Sequence, residues 1–599
     1  MNTLHLGYDA MRRPIRLDPD DRKTHMHVIG SSGSGKSKFL EWMIRGDLRN
    51  RQGFCLLDPH GTLYNDVVKY CAHRLLGRDI ILLNLSAGER IVGFNPFQKA
   101  SDTSVPIQVA SRIAATMHAW NVENTDQTPT LERTLRLIYT VMLDRNLGLP
   151  QMQHLIDFNA HQIRNHLISK LQTPLIQKEW RELQTLRPKE WRDEILSAKN
   201  RLFRFLTSPA LIRCMGLPER TLDLGAIMDE GKVLLVNLAV SDQLSDEDAR
   251  VFGALLVNEF FECARRRQKD ARGRDPKPFY LYMDEFQNFV SPTVARMLAE
   301  VRKFGLFLIL AHQYFEQLEE ELIAGVLTNC RIKAVFGGLT EESALLLAKH
   351  LFIRKLDPKK IKAAIYQTKF WPKEERRQVY TKGTSHASSS GWSESTASGS
   401  FSGTSSGEFF GPDQWFSSGT SMGSSTGTSF GTSSMRSSGS SGSDSYGDSE
   451  SVADIPVFVP VPFSELSSLQ YYTMEEQLTE LTAALMEQYA RHCFIKIQTD
   501  EAEPMLVPKV EQLYTSEKSL RLYEDKLLTK NNALPAAEVD QLIEQQETAL
   551  LNAIAAKAQP ALEAPPLTID VEPKPAEEPE SKPKPKGAKP TKRIWNRNL

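Results

Sequence analysis

Met26-His27-Val28-Ile29-Gly30-Ser31-Ser32-Gly33-Ser34-Gly35-Lys36-Ser37-Lys38-Phe39-Leu40 is the stretch that decides the fold. An apolar strand over 25–29 runs into GSSGSGKS, and a helical pattern over 39–48 follows. The eight residues fit G-x-x-x-x-G-K-[ST] at every fixed position. Small residues let successive backbone N–H groups curl round a phosphate, and the start of the helix adds its positive dipole end. Gly30, Ser31, Ser32, Gly33, Ser34, Gly35, Lys36, Ser37 and Lys38 are therefore the expected nucleotide-binding residues. Lys36 reaches the β/γ oxygens and the Ser37 hydroxyl ligates Mg²⁺, so ATP and Mg²⁺ are the expected cofactors. A chance Gly/Ser loop would not account for a strand before it and a helix after it.

Such a loop needs an acidic site on a neighbouring strand, and Phe279-Tyr280-Leu281-Tyr282-Met283-Asp284-Glu285 supplies one. Asp284 is expected to hold Mg²⁺ through a water, and Glu285 to polarise the attacking water as general base. An adjacent Asp-Glu indicates a water-activating ATPase, since a kinase would present an acceptor site instead. The apolar strand over 306–311 ends in His312-Gln313. The Gln313 amide both donates and accepts, which suits the γ-phosphate or its water; a polar strand cap is the alternative. Asp58 and His60 follow the strand over 53–57 and face the same rim, because ligands collect beyond the carboxyl ends of parallel strands.

Outward from these motifs, strands over 79–85, 232–239 and 331–336 alternate with helical patterns such as 246–267 and 292–304. The pattern predicts an α/β fold with a mostly parallel central sheet and right-handed crossovers. Most of the later strands are unbroken apolar runs, as expected when both faces are covered. Over 106–224, charged-apolar stretches with helical spacing predict an all-helical inserted domain. Residues 381–451 are almost entirely Ser, Gly and Thr, with isolated aromatics such as Trp392, Phe401 and Trp415. That composition cannot bury enough surface to offset chain entropy, so a long disordered Ser/Gly-rich loop is expected. It reads either as a solvated linker or as a self-associating segment. Thr473-Met474-Glu475-Glu476 has the form of a capping box, and a strand over 493–497 follows. The expected map is an ATPase domain over 1–105, 225–380 and 452–510, with the helical insert at 106–224 and the disordered insert at 381–451. C-terminal helices at 511–557 and a disordered Pro/Lys-rich tail at 558–599 complete it.

The chain has 599 residues, of which 41% are hydrophobic and 25% charged, an ordinary globular balance. No apolar run approaches the ~18–20 residues of a membrane span, so no integral membrane segment is expected. Arg12, Arg13 and Arg16 occur early with no apolar stretch after them, unlike a signal peptide. Six cysteines lie far apart with no C-x-x-C pair, which excludes a zinc ribbon and points to a reducing, cytoplasmic setting. With 73 basic and 74 acidic residues, bulk charge says nothing about nucleic acid. Local clusters at 265–277, 354–362 and 582–599 are candidate DNA contacts or solvated faces.

In order along the chain, GSSGSGKS, LLDPHGTL, GFNPF at 93–97, KVLLVNLA, FYLYMDEFQNF, VRKFGLFLILAHQ and LTNCRIKAVF resemble the HerA/FtsK superfamily of P-loop DNA-translocating ATPases. The likeness is strongest to conjugative coupling proteins of the TraG/TraD type, and it covers roughly 24–370 and 453–510. The resemblance implies a RecA-like motor, a hexameric ring of identical subunits, and ATP hydrolysis coupled to DNA movement through a central channel. It also implies an arginine supplied in trans, for which Arg302 and Arg331 are candidates and Lys303 and Lys333 the runners-up. Membrane-bound coupling proteins begin with transmembrane helices and HerA helicases with a small β-barrel; neither is expected in the roughly 23 residues before the first motif strand. The expected function is a soluble ring ATPase that translocates or unwinds DNA, with a separate effector such as a nuclease, in phage defence or DNA processing. The alternatives are an ATPase scaffold that regulates an effector without moving DNA, and a peripheral conjugative coupling protein.

Overall fold

The computed structural model describes residues 3–99, 104–120, 122, 129–269, 273–289, 292–387 and 445–558. The chain forms two compact units, Met1–Pro358 with Thr473–Leu599, and Lys359–Tyr472.

In the first unit, β1 (Leu4–Tyr8) and β2 (Pro14–Leu17) precede β3 (Met26–Ile29), which feeds α1 (Lys36–Asn50). Next come β4 (Gly53–Asp58), α2 (Thr62–His73), β5 (Ile80–Asn84) and β6 (Arg90–Ile91). A helical stretch follows: α3 (Val105–Ala119), α4 (Pro129–Asp144), α5 (Gln153–Ile156), α6 (His161–Ser169), α7 (Pro174–Gln184), α8 (Pro188–Thr207) and α9 (Pro209–Met215). Proline opens α7, α8 and α9, where its fixed φ suits the first turn and its missing N–H costs nothing. The sheet resumes through α10 (Leu224–Glu230), β7 (Val233–Asn237), α11 (Asp246–Arg266), β8 (Phe279–Met283), α12 (Pro292–Glu300) and β9 (Leu306–His312). Then come α13 (Glu320–Asn329), β10 (Ile332–Phe336) and α14 (Glu341–Leu351).

The second unit holds an antiparallel pair, β11 (Ile361–Ala387) and β12 (Ser445–Tyr471). The first unit then continues with α15 (Met474–Met486), β13 (His492–Ile497), β14 (Glu503–Leu506), α16 (Glu517–Lys530), β15 (Leu534–Pro535) and α17 (Ala536–Ala558).

Among the described residues, eleven strands form the main sheet in the order β2-β1-β14-β13-β10-β3-β9-β8-β4-β7-β5. The seven from β10 to β5 are mutually parallel, and the other four extend the β10 edge antiparallel. Alternate residues of each central strand enter different cores. Cys55 and Leu57 join the core shared with α3–α9, α11 and α12, whereas Phe54 and Leu56 join the one beneath α1, α2 and α16. Burial on both faces is why these strands are unbroken apolar runs. The architecture is therefore a mostly parallel α/β sheet carrying a helical insertion.

The structure corrects the sequence reading in three places. The N-terminal segment adds β1 and β2 to the sheet, and β1 pairs with β14 at Tyr8↔Leu506. The acidic strand β8 is not the immediate neighbour of β3, because β9 lies between them. The departure from the sheet is longer than 381–451: the chain leaves after Pro358 and returns at Thr473. The Ser/Gly/Thr segment lies mostly outside the described residues; its ends, 381–387 and 445–451, continue β11 and β12. The tail beyond 558 lies outside them as well. Pro372 stands opposite Pro460, a pairing possible only where neither residue donates to the ladder.

Candidate active site

The loop Gly30–Ser37 leaves the carboxyl end of β3 and enters α1. Gly33 and Gly35 have φ of 78° and 111°, conformations that a side chain would strain. A Cβ on Gly35 would also come within 3.1 Å of the Arg491 nitrogen. Lys36 is buried, and its ammonium donates to the carbonyls of Gly30 (2.5 Å) and Ser31 (3.2 Å). Burial lowers its pKa, while Glu285 and Asp284 pull it back up. Ser34 Oγ donates to the Ser31 carbonyl at 2.7 Å, and the Ser31 N–H to the Gly337 carbonyl at 3.1 Å. Ser32 is exposed. The Lys38 ammonium is held by Glu41 and Asp66 at 2.8 and 2.6 Å, so what Lys38 can offer a phosphate is its main-chain N–H.

Ser37 Oγ donates to Asp284 Oδ2 at 3.2 Å, which joins the loop to the acidic strand. Burial, followed by the charges of Asp58 and Glu285, pushes the Asp284 carboxyl up to about 6. Asp58 accepts the main-chain N–H groups of His60 (2.9 Å) and Tyr64 (2.8 Å), so it shapes the turn into α2 and adds negative charge beside Asp284. His60 is exposed. The rim continues in register through Asp58, Asn237 and Asn84 at the ends of β4, β7 and β5.

Glu285 is buried with φ at 46°. Gln313 Nε2 donates to its Oε1 at 3.0 Å and Gln287 Nε2 to its Oε2 at 2.8 Å. Gln313 thus meets Glu285 across the β8–β9 boundary, while Gln287 escaped the sequence reading because a glutamine two residues past a motif carries no signal of its own.

The trans candidates lie elsewhere. Arg302 lies four residues before β9 and Arg331 immediately before β10, at the opposite ends of those strands from Lys36 and Glu285, and among the described residues neither is bonded to this subunit's own loop. The Lys333 ammonium is buried on the Cys330 carbonyl at 2.5 Å, and Lys303 lies over the Phe304 ring.

Two supports were not legible in the sequence. The Arg491 N–H, from a residue with φ at 69°, donates to the Ser34 carbonyl at 2.8 Å, and the Arg491 guanidinium is fixed on the Val507 carbonyl. The turn into β13 therefore braces the loop from outside. Beneath it, Arg22 and Asp47 form a buried bidentate pair at 2.5 and 2.9 Å, and Tyr282 donates to the same carboxylate at 2.6 Å.

Among the described residues no group of three or more His, Cys, Asp or Glu side chains could hold a metal, and no helix is long and apolar enough to cross a membrane. The Ser37–Asp284 pair suits Mg²⁺, which takes one or two protein ligands and leaves the rest to phosphates and water.

The family described as the central domain of the helicase HerA matches residues 4–260. The family described as the TraM recognition site of TraD and TraG matches residues 278–351. No curated protein matches the chain in sequence. Among solved structures, the bacterial conjugative coupling protein TrwBdeltaN70 is similar at 12% identity and a TM-score of 0.43, over 83% of this chain and 87% of that one. The plasmid coupling protein TrwB in complex with ADP and Mg²⁺ is similar at 16% identity and a TM-score of 0.39, over 58% and 78%. VirB4 of Thermoanaerobacter pseudethanolicus is similar at 14% and 0.35, over 58% and 88%. The two matches, over 4–260 and 278–351, bear out the resemblance of the chain to ATPases of the HerA and TraG/TraD kind.

Proposed function

We propose that the protein is an ATP-hydrolysing, ring-forming motor that translocates or unwinds DNA and works with a separate effector such as a nuclease. The observation that carries the ATPase reading is the convergence at one sheet rim of Lys36, the Ser37–Asp284 pair and the Gln313–Glu285 pair. Lys36 exchanges its loop carbonyls for the β/γ oxygens of ATP, and the main-chain N–H groups of the loop hold the β-phosphate. Mg²⁺, when bound at Ser37 and Asp284, neutralises charge on the phosphates. Glu285, its two oxygens oriented by amides, accepts a proton from the attacking water, while Gln313 is placed to orient that water. The hexamer, the DNA and the arginine from a neighbouring subunit are supported by the family and by the position of Arg302 and Arg331 away from their own site.

The test is Mg²⁺-dependent ATP turnover with and without DNA. Lys36→Ala should abolish it, and Glu285→Gln should bind ATP normally while losing about 10²–10⁴-fold in turnover. Wild-type hydrolysis by Glu285→Gln would remove the base assignment. Turnover indifferent to single- and double-stranded DNA would favour a scaffold that regulates an effector without moving DNA.

A further inference from the structure

His27 lies on β3, three residues before Gly30, and His312 closes β9 immediately before Gln313. Both are fully buried, and their Nε2 atoms stand 2.7 Å apart. The partners fix the protons. His312 Nδ1 is 3.2 Å from the Tyr314 carbonyl, which can only accept, so Nδ1 carries hydrogen and Nε2 keeps its lone pair. His27 then donates through Nε2, and its Nδ1 is left bare. Among the described residues that atom is buried without a partner, and no acceptor stands against it to call for a proton there. Burial holds both rings neutral, His312 at about 3 and His27 well below its ordinary value.

The rings also pack on aromatic neighbours of the two residues that carry the water-activating groups. His312 packs edge-on against Phe286 with centroids 5.1 Å apart, and Phe286 directly follows Glu285. Both histidines pack on Phe315, two residues beyond Gln313, at 5.5 and 5.3 Å. An apolar pair would fill this volume without leaving a nitrogen unpaired, so burial alone gives no reason for two imidazoles. What they add is direction: a hydrogen bond has one geometry, whereas an apolar contact slides.

We propose that His27 and His312 are positioning residues that lock the end of β9 to the P-loop strand, so that the Gln313 amide stays on Glu285. This rests on the ATPase reading above. His27→Phe keeps a ring against Phe315 but removes the donor, whereas His27→Gln keeps a donor at similar reach. His27→Phe should lower kcat by about 10- to 100-fold, the cost of a displacement of about 1 Å, and change the KM for ATP by less than about twofold. His27→Gln should recover most of the loss. In a Gln313→Ala background, His27→Phe should cost less than about twofold, because the amide it positions is already gone. Wild-type kcat in His27→Phe, equal losses in both backgrounds, or no recovery by His27→Gln would overturn the proposal. If His27→Phe does not fold, His27→Leu takes its place; failure of all three variants to fold would make the pair a fold determinant and also overturn it. The ATPase reading fails separately, and takes the proposal with it, if wild-type turnover is absent or survives Lys36→Ala.

Discussion

Asp284 and Glu285 are neighbours with opposite problems. Glu285 holds a left-handed backbone that costs a residue with a side chain about 1–3 kcal/mol, and two amides keep it there. Asp284 has an ordinary backbone but a carboxyl raised from 3.8 to about 6. An acid with a raised folded pKa binds more protons folded than unfolded, so it destabilises the fold as pH rises from its unfolded value through about 6. At roughly 1.4 kcal/mol per pKa unit, the penalty above that range is about 3 kcal/mol. Asp284→Asn should therefore raise the melting temperature of the ligand-free protein at pH 8 and have little effect at pH 4. It should also weaken Mg²⁺-dependent nucleotide binding. Equal shifts at the two pH values would show that the carboxyl is not strained. Asp284, Glu285 and the loop were legible in the sequence because their chemistry is written in adjacent residues. His27 and His312, 285 positions apart, were not, because neither carries a signal without the other.

Elements meet at this site through contacts of very different visibility. α1, β8 and the turn before β3 are tied by Arg22, Asp47 and Tyr282, all buried. Removing only the cation would strand a buried carboxylate, so Arg22→Ala should destabilise by about 3–5 kcal/mol in urea unfolding. Arg22→Met combined with Asp47→Leu should cost clearly less; if the double variant is the worse of the two, the pair is not a desolvated ion pair. The parallel strands were legible as unbroken apolar runs. β1 and β2 were not, since four or five residues with Gly7 and Pro14 inside them carry little pattern and their partner β14 lies far along the chain. β11 and β12 were missed for another reason: Pro372, Pro456, Pro460 and Pro462 read as strand breakers, yet an isolated two-stranded ribbon accommodates them at positions that give no ladder bond. The Arg491 brace acts through a main-chain N–H that any residue but proline could supply.

For the molecule as a whole, the second unit departs from and returns to neighbouring points. The Gln477 side chain both accepts from the Asp357 N–H at 3.1 Å and donates to its carbonyl at 2.8 Å, which holds the two stumps together. Because closure cost grows only logarithmically with length, a short Gly/Ser linker should replace Lys359–Tyr472 with little change. We expect the shortened protein to melt within a few degrees of the full chain and to keep basal ATP turnover within about twofold. Collapse of both would mean that the ribbon is integral to the first unit. Assembly gives another expected outcome. If, as proposed, a neighbouring subunit supplies the completing arginine, specific activity should rise with protein concentration as a species of about six subunits appears in sedimentation; full activity from a strict monomer would end the ring reading. The pairing of Tyr8 with Leu506, and of Ile91 with Leu534, has a consequence for how the protein is made. A ribosome adds about 5–20 residues per second, so the first strand waits tens of seconds for its partner to emerge. Throughout that interval the nascent chain exposes an unpaired sheet edge, and the P-loop strand waits for β10. Nascent chains that stop short of residue 506 should therefore depend on holding chaperones and aggregate when released.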